Sequence, residues 1–200
     1  MQVRTALHYR FLKLKALLLM SLGLKQDVLP LFEQMLKLQP EDRYALASRA
    51  HQQAEQLHFE AAIASLQLLT SAWPQDAPAW FNLGYVLQQT SRHEDAEPAF
   101  RTALALDPLM DRAWYGLALA LMHRQQFHEA AEALKKNTAL QPMSPYGWYR
   151  LAEVWLALDQ PDEAQKVLRH LRQFEPAVAG QLERQYRAVF TIPKAIDATH

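Results

Sequence analysis

The sequence predicts an all-α solenoid built from about five helical hairpins, with one more helix at the carboxyl end as a cap. A strict internal period carries this prediction. Five prolines are each separated by 34 residues: Pro40, Pro74, Pro108, Pro142 and Pro176. Three tryptophans keep the same step: Trp80, Trp114 and Trp148. With proline at about one residue in twenty, four further hits at one step arise by chance on the order of once in a hundred thousand.

Each 34-residue repeat contains two blocks with helical spacing. In residues 77–90 and 95–106 the apolar residues recur at steps of three and four, which places them on one face of each helix. A polar break at 90–93 separates the two blocks. The periodic proline ends the second helix, because its ring removes a backbone donor and restricts the preceding residue. First helices are expected to begin behind capping residues such as Asp76 and Ser144.

Two further prolines occupy equivalent positions near the start of second helices, Pro30 and Pro98. A proline in the interior of a helix costs about 3 kcal/mol. The sequence therefore predicts that these two helices begin late, so that each proline falls in the first turn.

A repeat that reads Trp-x-x-Leu-Gly-x-x-Tyr, followed by Ala, Phe, Ala and Pro, resembles the tetratricopeptide repeat. The segment 77–110 resembles it closely, through Trp80, Leu83, Gly84, Leu87 in the tyrosine place, Ala96, Phe100, Ala103 and Pro108. Segments 111–144 and 145–178 follow the pattern, although polar Asn137 replaces the second alanine of the former. Segment 43–76 matches more loosely and segment 9–42 is degenerate. The resemblance implies that the three tryptophans pack in the core.

The resemblance implies one right-handed superhelical solenoid domain with short flanks. Residues 1–8 are then an amino-terminal extension. The five repeats occupy 9–42, 43–76, 77–110, 111–144 and 145–178. An amphipathic segment, 179–190, is predicted to be the capping helix that the open end of a solenoid requires, and 191–200 a flexible tail.

Composition argues against several classes of protein. Lysine plus arginine and aspartate plus glutamate number 21 each, so the basic excess of a nucleic-acid-binding protein is missing. With no cysteine, there is no disulfide, thiolate nucleophile or cysteine zinc site. The eight histidines form no His-Glu-x-x-His motif, and the five glycines form no phosphate-binding loop. We therefore expect no catalytic residue, no metal and no cofactor, and we predict that the chain is not an enzyme. A remote alternative is that it is a regulatory fragment of a larger enzyme.

The amino-terminal stretch is basic and apolar, with no acid before Asp27. Its apolar run at 16–20 is too short to span a bilayer. No small-residue cleavage site of a secretory signal follows it. We therefore predict a cytoplasmic protein without a membrane partner, while a secreted or periplasmic location stays open.

The resemblance also implies a concave groove lined by the first helices. Carried over residue by residue, the groove positions are Phe81, Asn82, Tyr85, Gln88, Arg112, Tyr115, Leu119, Met122, Tyr146, Tyr149, Arg150 and Glu153. Aromatic residues recur at one position of successive repeats, which predicts an aromatic ladder: Phe81, Tyr115 and Tyr149. The sequence thus predicts an adaptor or chaperone-like module that binds a peptide segment of a partner protein. Packing of these rings against neighbouring helices is the alternative.

A subgroup of the family clamps the terminal carboxylate of chaperone tails, and here that clamp is incomplete. Asn82 and Arg112 match isolated places, but Ala47, His51 and Gly116 fill others. An extended or helical segment with apolar anchors is therefore a better expectation for the partner than an acidic tail.

The apolar residues of the predicted first helix indicate an alternative function. Its packing positions are supplemented by further apolar residues, Phe11, Leu14, Leu17 and Leu18. A terminal repeat has no upstream neighbour, so its outer side should be polar. An apolar outer side marks a contact surface. The alternative hypothesis is a structural scaffold that forms homo-oligomers through this helix.

Overall fold

The computed structural model describes residues 2–24 and 28–187, and in that part of the chain it contains eleven α-helices and no strand. The helices are α1 Gln2–Ser21, α2 Leu29–Leu38, α3 Arg43–Glu55, α4 Phe59–Ala72, α5 Ala77–Gln89, α6 His93–Leu106, α7 Asp111–His123, α8 Phe127–Leu140, α9 Pro145–Ala157, α10 Pro161–Phe174 and α11 Pro176–Gln185. The predicted all-α fold class is confirmed. None of these helices is both long and apolar enough to cross a membrane.

The chain divides into two compact units, unit 1 (Met1–Pro108) and unit 2 (Leu109–His200). In unit 1, α1 packs against α2, α3 against α4 and α5 against α6. In unit 2, α7 packs against α8 and α9 against α10, and α11 contacts both α10 and α9. Each unit is therefore a stack of the helical hairpins that the 34-residue period predicts.

The turn inside each hairpin recurs with the period. One residue in each of four turns has a positive φ between 54° and 62°: Leu57, Ser91, Gln125 and Asp159. The backbone N–H of the next residue donates to the carbonyl five residues before it, at the end of the first helix; for example, Arg92 N donates to Leu87 O at 2.9 Å. This is the arrangement that satisfies the last carbonyls of a helix. It offsets the roughly 1–2 kcal/mol that a non-glycine residue loses in the left-handed region.

The core of each hairpin is built from the same repeat positions. An alanine in each of four second helices is fully buried: Ala62, Ala96, Ala130 and Ala164. The four larger side chains that follow them four residues later are buried as well: Leu66, Phe100, Leu134 and Leu168. The small alanines let the two helices of a hairpin approach closely, and the larger residues fill the space between them.

The three periodic tryptophans are half-buried, so their predicted place in the core is wrong in part. The indole N–H of Trp80 donates to Pro74 O at 2.9 Å, and that of Trp148 donates to Pro142 O at 2.8 Å. Because the indole N–H requires a hydrogen-bond acceptor, the ring lies at the edge of the core. There its hydrogen bond links the first helix to the loop that contains the periodic proline.

The two additional prolines behave differently. α2 begins at Leu29 and holds Pro30 in its first turn, as predicted. α6 begins at His93 and carries Pro98 in its interior, so the prediction of a late start for this helix is wrong. Pro98 has no backbone N–H, so only the carbonyl of Glu94 loses its hydrogen bond within the helix. Both residues are exposed. Water can satisfy that carbonyl, which lowers the cost of the proline.

The predicted caps are confirmed for one helix and wrong for another. The Asp76 carboxylate accepts from Ala79 N at 3.3 Å and caps α5. Ser144 precedes α9, but its side chain makes no capping hydrogen bond. Pro145 at the start of α9 has no backbone N–H to satisfy and already fixes a helical φ, so this helix start depends less on a cap.

At the two ends of the chain the helices differ from the predicted segments. Residues 2–8 belong to α1, which runs without a break from Gln2. α11 begins at Pro176, three residues before the predicted capping helix, and its last residue is Gln185. The end of the predicted cap, 188–190, and the predicted tail, 191–200, lie outside the described residues. The repeat boundaries themselves stay a prediction.

Candidate functional site

The twelve residues predicted to line a groove all lie on first helices of hairpins. In unit 1, α5 carries Phe81, Asn82, Tyr85 and Gln88. In unit 2, α7 carries Arg112, Tyr115, Leu119 and Met122, and α9 carries Tyr146, Tyr149, Arg150 and Glu153. Four are exposed, namely Asn82, Tyr85, Arg112 and Tyr146, and the other eight are half-buried. All twelve thus keep some surface that a ligand could contact.

Unit 2 contains a pocket of about 460 Å³ between α7, α9 and the amino-terminal half of α11. Its lining consists of Tyr115, Pro145, Tyr146, Tyr149, Arg150, Glu175, Val178 and Gln181. The structure therefore brings four of the predicted residues together at one cavity. Outside this lining lie Arg112, Leu119 and Met122 on α7 and Glu153 on α9, and the four predicted residues of α5 belong to unit 1.

A network of hydrogen bonds ties α9 to the carboxyl end of α11. The guanidinium Nη1 of Arg150 donates to Glu153 Oε2 at 2.7 Å, and the Tyr186 hydroxyl donates to Glu153 Oε1 at 3.2 Å. The Tyr149 hydroxyl donates to the Gln185 side-chain oxygen, and Gln185 Nε2 donates to the Tyr186 hydroxyl. Because these groups hold one another, the side chains of Tyr149 and Arg150 are oriented before any ligand arrives.

The same contacts set the protonation of the site. Burial raises the pKa of Tyr149, and the negative charge of Glu153 raises it further. Burial by itself lowers the pKa of Arg150, but hydrogen bonds to Glu153 and Tyr115, together with charge interactions with the same two groups, outweigh burial, so the pKa of this guanidinium is raised overall. At neutral pH the tyrosine is therefore uncharged and Arg150 is a cation paired with Glu153.

Chemically, this arrangement suits binding. Three tyrosine rings provide apolar surface with polar tips, one guanidinium and one carboxylate provide charge, and Pro145, Val178 and Gln181 complete the lining. Among the described residues, no three histidine, aspartate or glutamate side chains are grouped so that they could hold a metal ion. The pocket thus offers aromatic faces and hydrogen bonds to a ligand.

In unit 1 the predicted residues behave partly as packing residues. The Phe81 ring lies 6.1 Å from the ring of the buried Phe100 and stacks on Tyr85 at 6.3 Å. The alternative interpretation of the aromatic position, packing against a neighbouring helix, therefore applies to Phe81. The aromatic ladder as a whole stays a prediction.

The repeat pattern does not predict the contribution of α11 to the pocket, which comes from Glu175, Val178 and Gln181. The repeat pattern defines groove positions only within the 34-residue repeats, and α11 follows the last of them. The available signal is the short connection, because Glu175 alone separates α10 from α11. Such a short connection makes the final helix fold back beside the preceding hairpin, where it contacts α9.

The residues predicted for self-association form an exposed apolar face on α1. Phe11, Leu14, Leu17 and Leu18 are between 45% and 67% exposed. Leu7, at 68%, extends this face toward the amino end. The opposite side of α1 is buried through residues such as Leu12 and Ala16, and it packs against α2. The structure therefore leaves this apolar face uncovered within unit 1, with exposed basic residues such as Arg10 and Lys15 beside it.

Comparison with known protein families identifies the same kind of repeat along most of the chain. Two family profiles, both described as tetratricopeptide repeat, match the sequence. The first matches residues 47–97 and again 86–136, and the second matches residues 121–181. Together they cover the segment from 47 to 181. Among curated proteins, no sequence matches.

Solved structures with the same fold match nearly the whole chain. A crystal structure of MamA protein superposes with a TM-score of 0.78 at 18% identity, covering 93% of this chain and 97% of that chain. YrrB, described as a TPR protein with an unusual peptide-binding site, gives 0.76 at 17% identity, covering 84% of this chain and 88% of that chain. PilF of Pseudomonas aeruginosa gives 0.68 at 17% identity, covering 92% and 94%. At these identities the likeness establishes the fold alone.

Proposed function

The chain belongs to the tetratricopeptide-repeat family, and we propose that it is a non-catalytic adaptor that binds a peptide segment of another protein. The observation that carries the proposal is the tyrosine-lined pocket of unit 2, in which four residues predicted from the repeat pattern meet. The proposal is supported by YrrB, a protein of the same fold whose description names a peptide-binding site.

The energetics of the pocket favour a peptide over a small polar metabolite. Tyrosine buries a large area with only two rotatable side-chain bonds, so it contributes binding free energy at a small entropic cost. Tyr146 is 71% exposed and can be covered by a ligand, whereas Tyr149 is already held by Gln185. An exposed tyrosine beside a tyrosine that is already oriented suits an extended or helical segment with apolar anchors.

The test is selection of peptides from a random-sequence phage library on the intact chain. Selected peptides should bind the Tyr149→Ala variant at least about tenfold more weakly, since truncation of a central aromatic contact costs about 2 kcal/mol. Fluorescence anisotropy with labelled peptides measures the difference, and circular dichroism verifies equal helicity.

Met143→Ala is the matched control, because this exposed side chain lies in the same unit outside the pocket lining. Its affinity should equal that of the unchanged chain. Equal affinity of the Tyr149→Ala variant would instead place the binding surface elsewhere and refute the proposed site.

A second candidate function, a self-associating scaffold, is favoured by the exposed apolar face of α1. If two copies associate through this face, the intact chain should have a mass in solution above the 23.0 kDa of one chain. The double variant Phe11→Glu, Leu18→Glu should return the mass to that of the monomer, because burying two carboxylates in the contact is unfavourable. Light scattering after size-exclusion chromatography measures both.

The control for that experiment is Lys15→Glu, which adds an acid to an exposed position of α1 while leaving its apolar residues in place. This variant should keep the larger mass. A monomeric mass for the unchanged chain at every concentration tested would contradict self-association.

A further inference from the structure

We propose that the pocket of unit 2 recognises a basic side chain, lysine or arginine, in the bound peptide. The inference rests on the proposed function and adds to it the chemistry of the residue that fills the pocket. It is carried by the balance of charges and aromatic faces around Tyr115, Tyr146 and Tyr149.

The charges of the pocket leave one carboxylate uncompensated. Arg150 and Glu175 are the two charged side chains of the lining. Arg150 is already neutralised by Glu153, whose Oε2 lies 2.7 Å from its guanidinium. Within the described part of the chain, no side chain pairs with Glu175. The site therefore carries a net charge of about −1, which favours a cation over an anion.

The helix dipole opposes this preference without reversing it. Glu175 immediately precedes α11, whose amino end carries roughly half a positive elementary charge. The full negative charge of a carboxylate exceeds that partial charge. An anionic ligand would also have to compete with Glu153 for the Arg150 guanidinium and would lie close to two carboxylates, those of Glu153 and Glu175.

Aromatic faces supply the second attraction. A cation within about 6 Å of an aromatic ring centroid is attracted by the electron-rich face. The chain makes such contacts elsewhere: the ammonium of Lys135 lies 5.0 Å from the centroid of Trp155, and that of Lys13 lies 4.4 Å from the centroid of Tyr44. Three tyrosines in one pocket with an unpaired carboxylate extend the same chemistry to an incoming lysine or arginine.

The apolar stem of the basic side chain fits the rest of the lining. Pro145 and Val178 add aliphatic surface to the tyrosine rings. A lysine or arginine can lay its methylene groups along such surface and place its charged head beside a carboxylate. A purely apolar side chain would leave Glu175 without a partner, and the pocket should therefore discriminate against it.

The experiment compares the peptides that the intact chain and its Glu175→Gln variant select from the same random-sequence phage library. Peptides selected on the intact chain should share a lysine or arginine at one position, and that enrichment should disappear on the variant. In fluorescence anisotropy, replacing this basic residue by norleucine should weaken binding to the intact chain about tenfold. The same replacement should change binding to the Glu175→Gln variant by about threefold or less.

The matched control is Glu132→Gln, which removes an exposed acid of unit 2 outside the pocket and should leave the enrichment unchanged. The Tyr146→Ala variant, which removes a highly exposed ring, should weaken basic peptides several-fold without altering helicity. Selected peptides that lack a shared basic residue, or norleucine peptides of equal affinity, would overturn this inference and leave the adaptor function standing. Failure to select any peptide would overturn both.

Discussion

Replacing Phe100 by alanine is expected to lower the free energy of unfolding by about 3–5 kcal/mol. The side chain is 0% exposed and lies in α6, where it fills the space between the two helices of the α5–α6 hairpin. The fit is tight, because a Cβ at Gly84 would lie only 2.9 Å from this ring. Removing the ring leaves a cavity that two packed helices cannot close. Urea unfolding followed by circular dichroism measures the loss.

The control is Leu68→Ala, which removes a large apolar side chain from a position of α4 that is 56% exposed. Surface substitutions of this kind change stability by about 0.5 kcal/mol or less. If the two variants differed by less than about 1 kcal/mol, Phe100 would not be part of a close-packed core, and the described hairpin packing would be wrong.

Much of the fold could be predicted because the physical causes recur at 34-residue intervals. A helix must end before Pro108 and Pro142, and a small buried residue is needed at Ala96 and Ala130 wherever two helices approach. The left-handed turn residues were harder to identify. Ser91 and Asp159, for example, share no side-chain type, since the backbone hydrogen bonds of the turn stabilise that conformation.

Local rules failed where the surrounding structure outweighed them. Proline inside a helix is unfavourable, yet Pro98 is accommodated in α6, because the buried face that includes Ala96 and Phe100 fixes where this helix lies. Tertiary packing supplies more of the stability of a helix than its propensity does. The lost hydrogen bond falls on the exposed side, where its cost is smallest.

The candidate site could be predicted only in part for a related reason. Tyr115 and Tyr149 are identified from the sequence because they occupy repeat positions. Glu175 and Gln181 contribute to the same pocket through the return of α11, and this depends on three-dimensional contacts that no periodic pattern encodes. The repeat pattern therefore could not predict the charge balance of the pocket, on which the proposed preference for a basic side chain depends.

The departure from the repeat pattern at Asn137 has a structural explanation in Gly147. Asn137 is only 6% exposed and donates from Nδ2 to Asp111 O at 2.9 Å. A Cβ at Gly147 would lie 2.1 Å from its Oδ1 and 3.1 Å from Thr138 Cγ2. The equivalent positions in three other repeats are buried alanines: Ala45, Ala79 and Ala113. The buried amide thus requires glycine where the other repeats accept alanine.

Gly147→Ala is therefore expected to destabilise the chain by about 1–3 kcal/mol, although alanine is the better helix former by about 1 kcal/mol. Asn137→Ala should cost about 1 kcal/mol through the lost hydrogen bond. In the double variant the clash is absent, so the two losses of unfolding free energy should not add. A coupling of about 1–3 kcal/mol is expected from urea unfolding of all four proteins.

Gly180→Ala is the control: its Cβ would meet only the flexible Arg184 guanidinium at 3.4 Å, so this change should be neutral or stabilising. Additivity of the Asn137 and Gly147 changes within about 0.5 kcal/mol would show that the two residues are not adapted to each other.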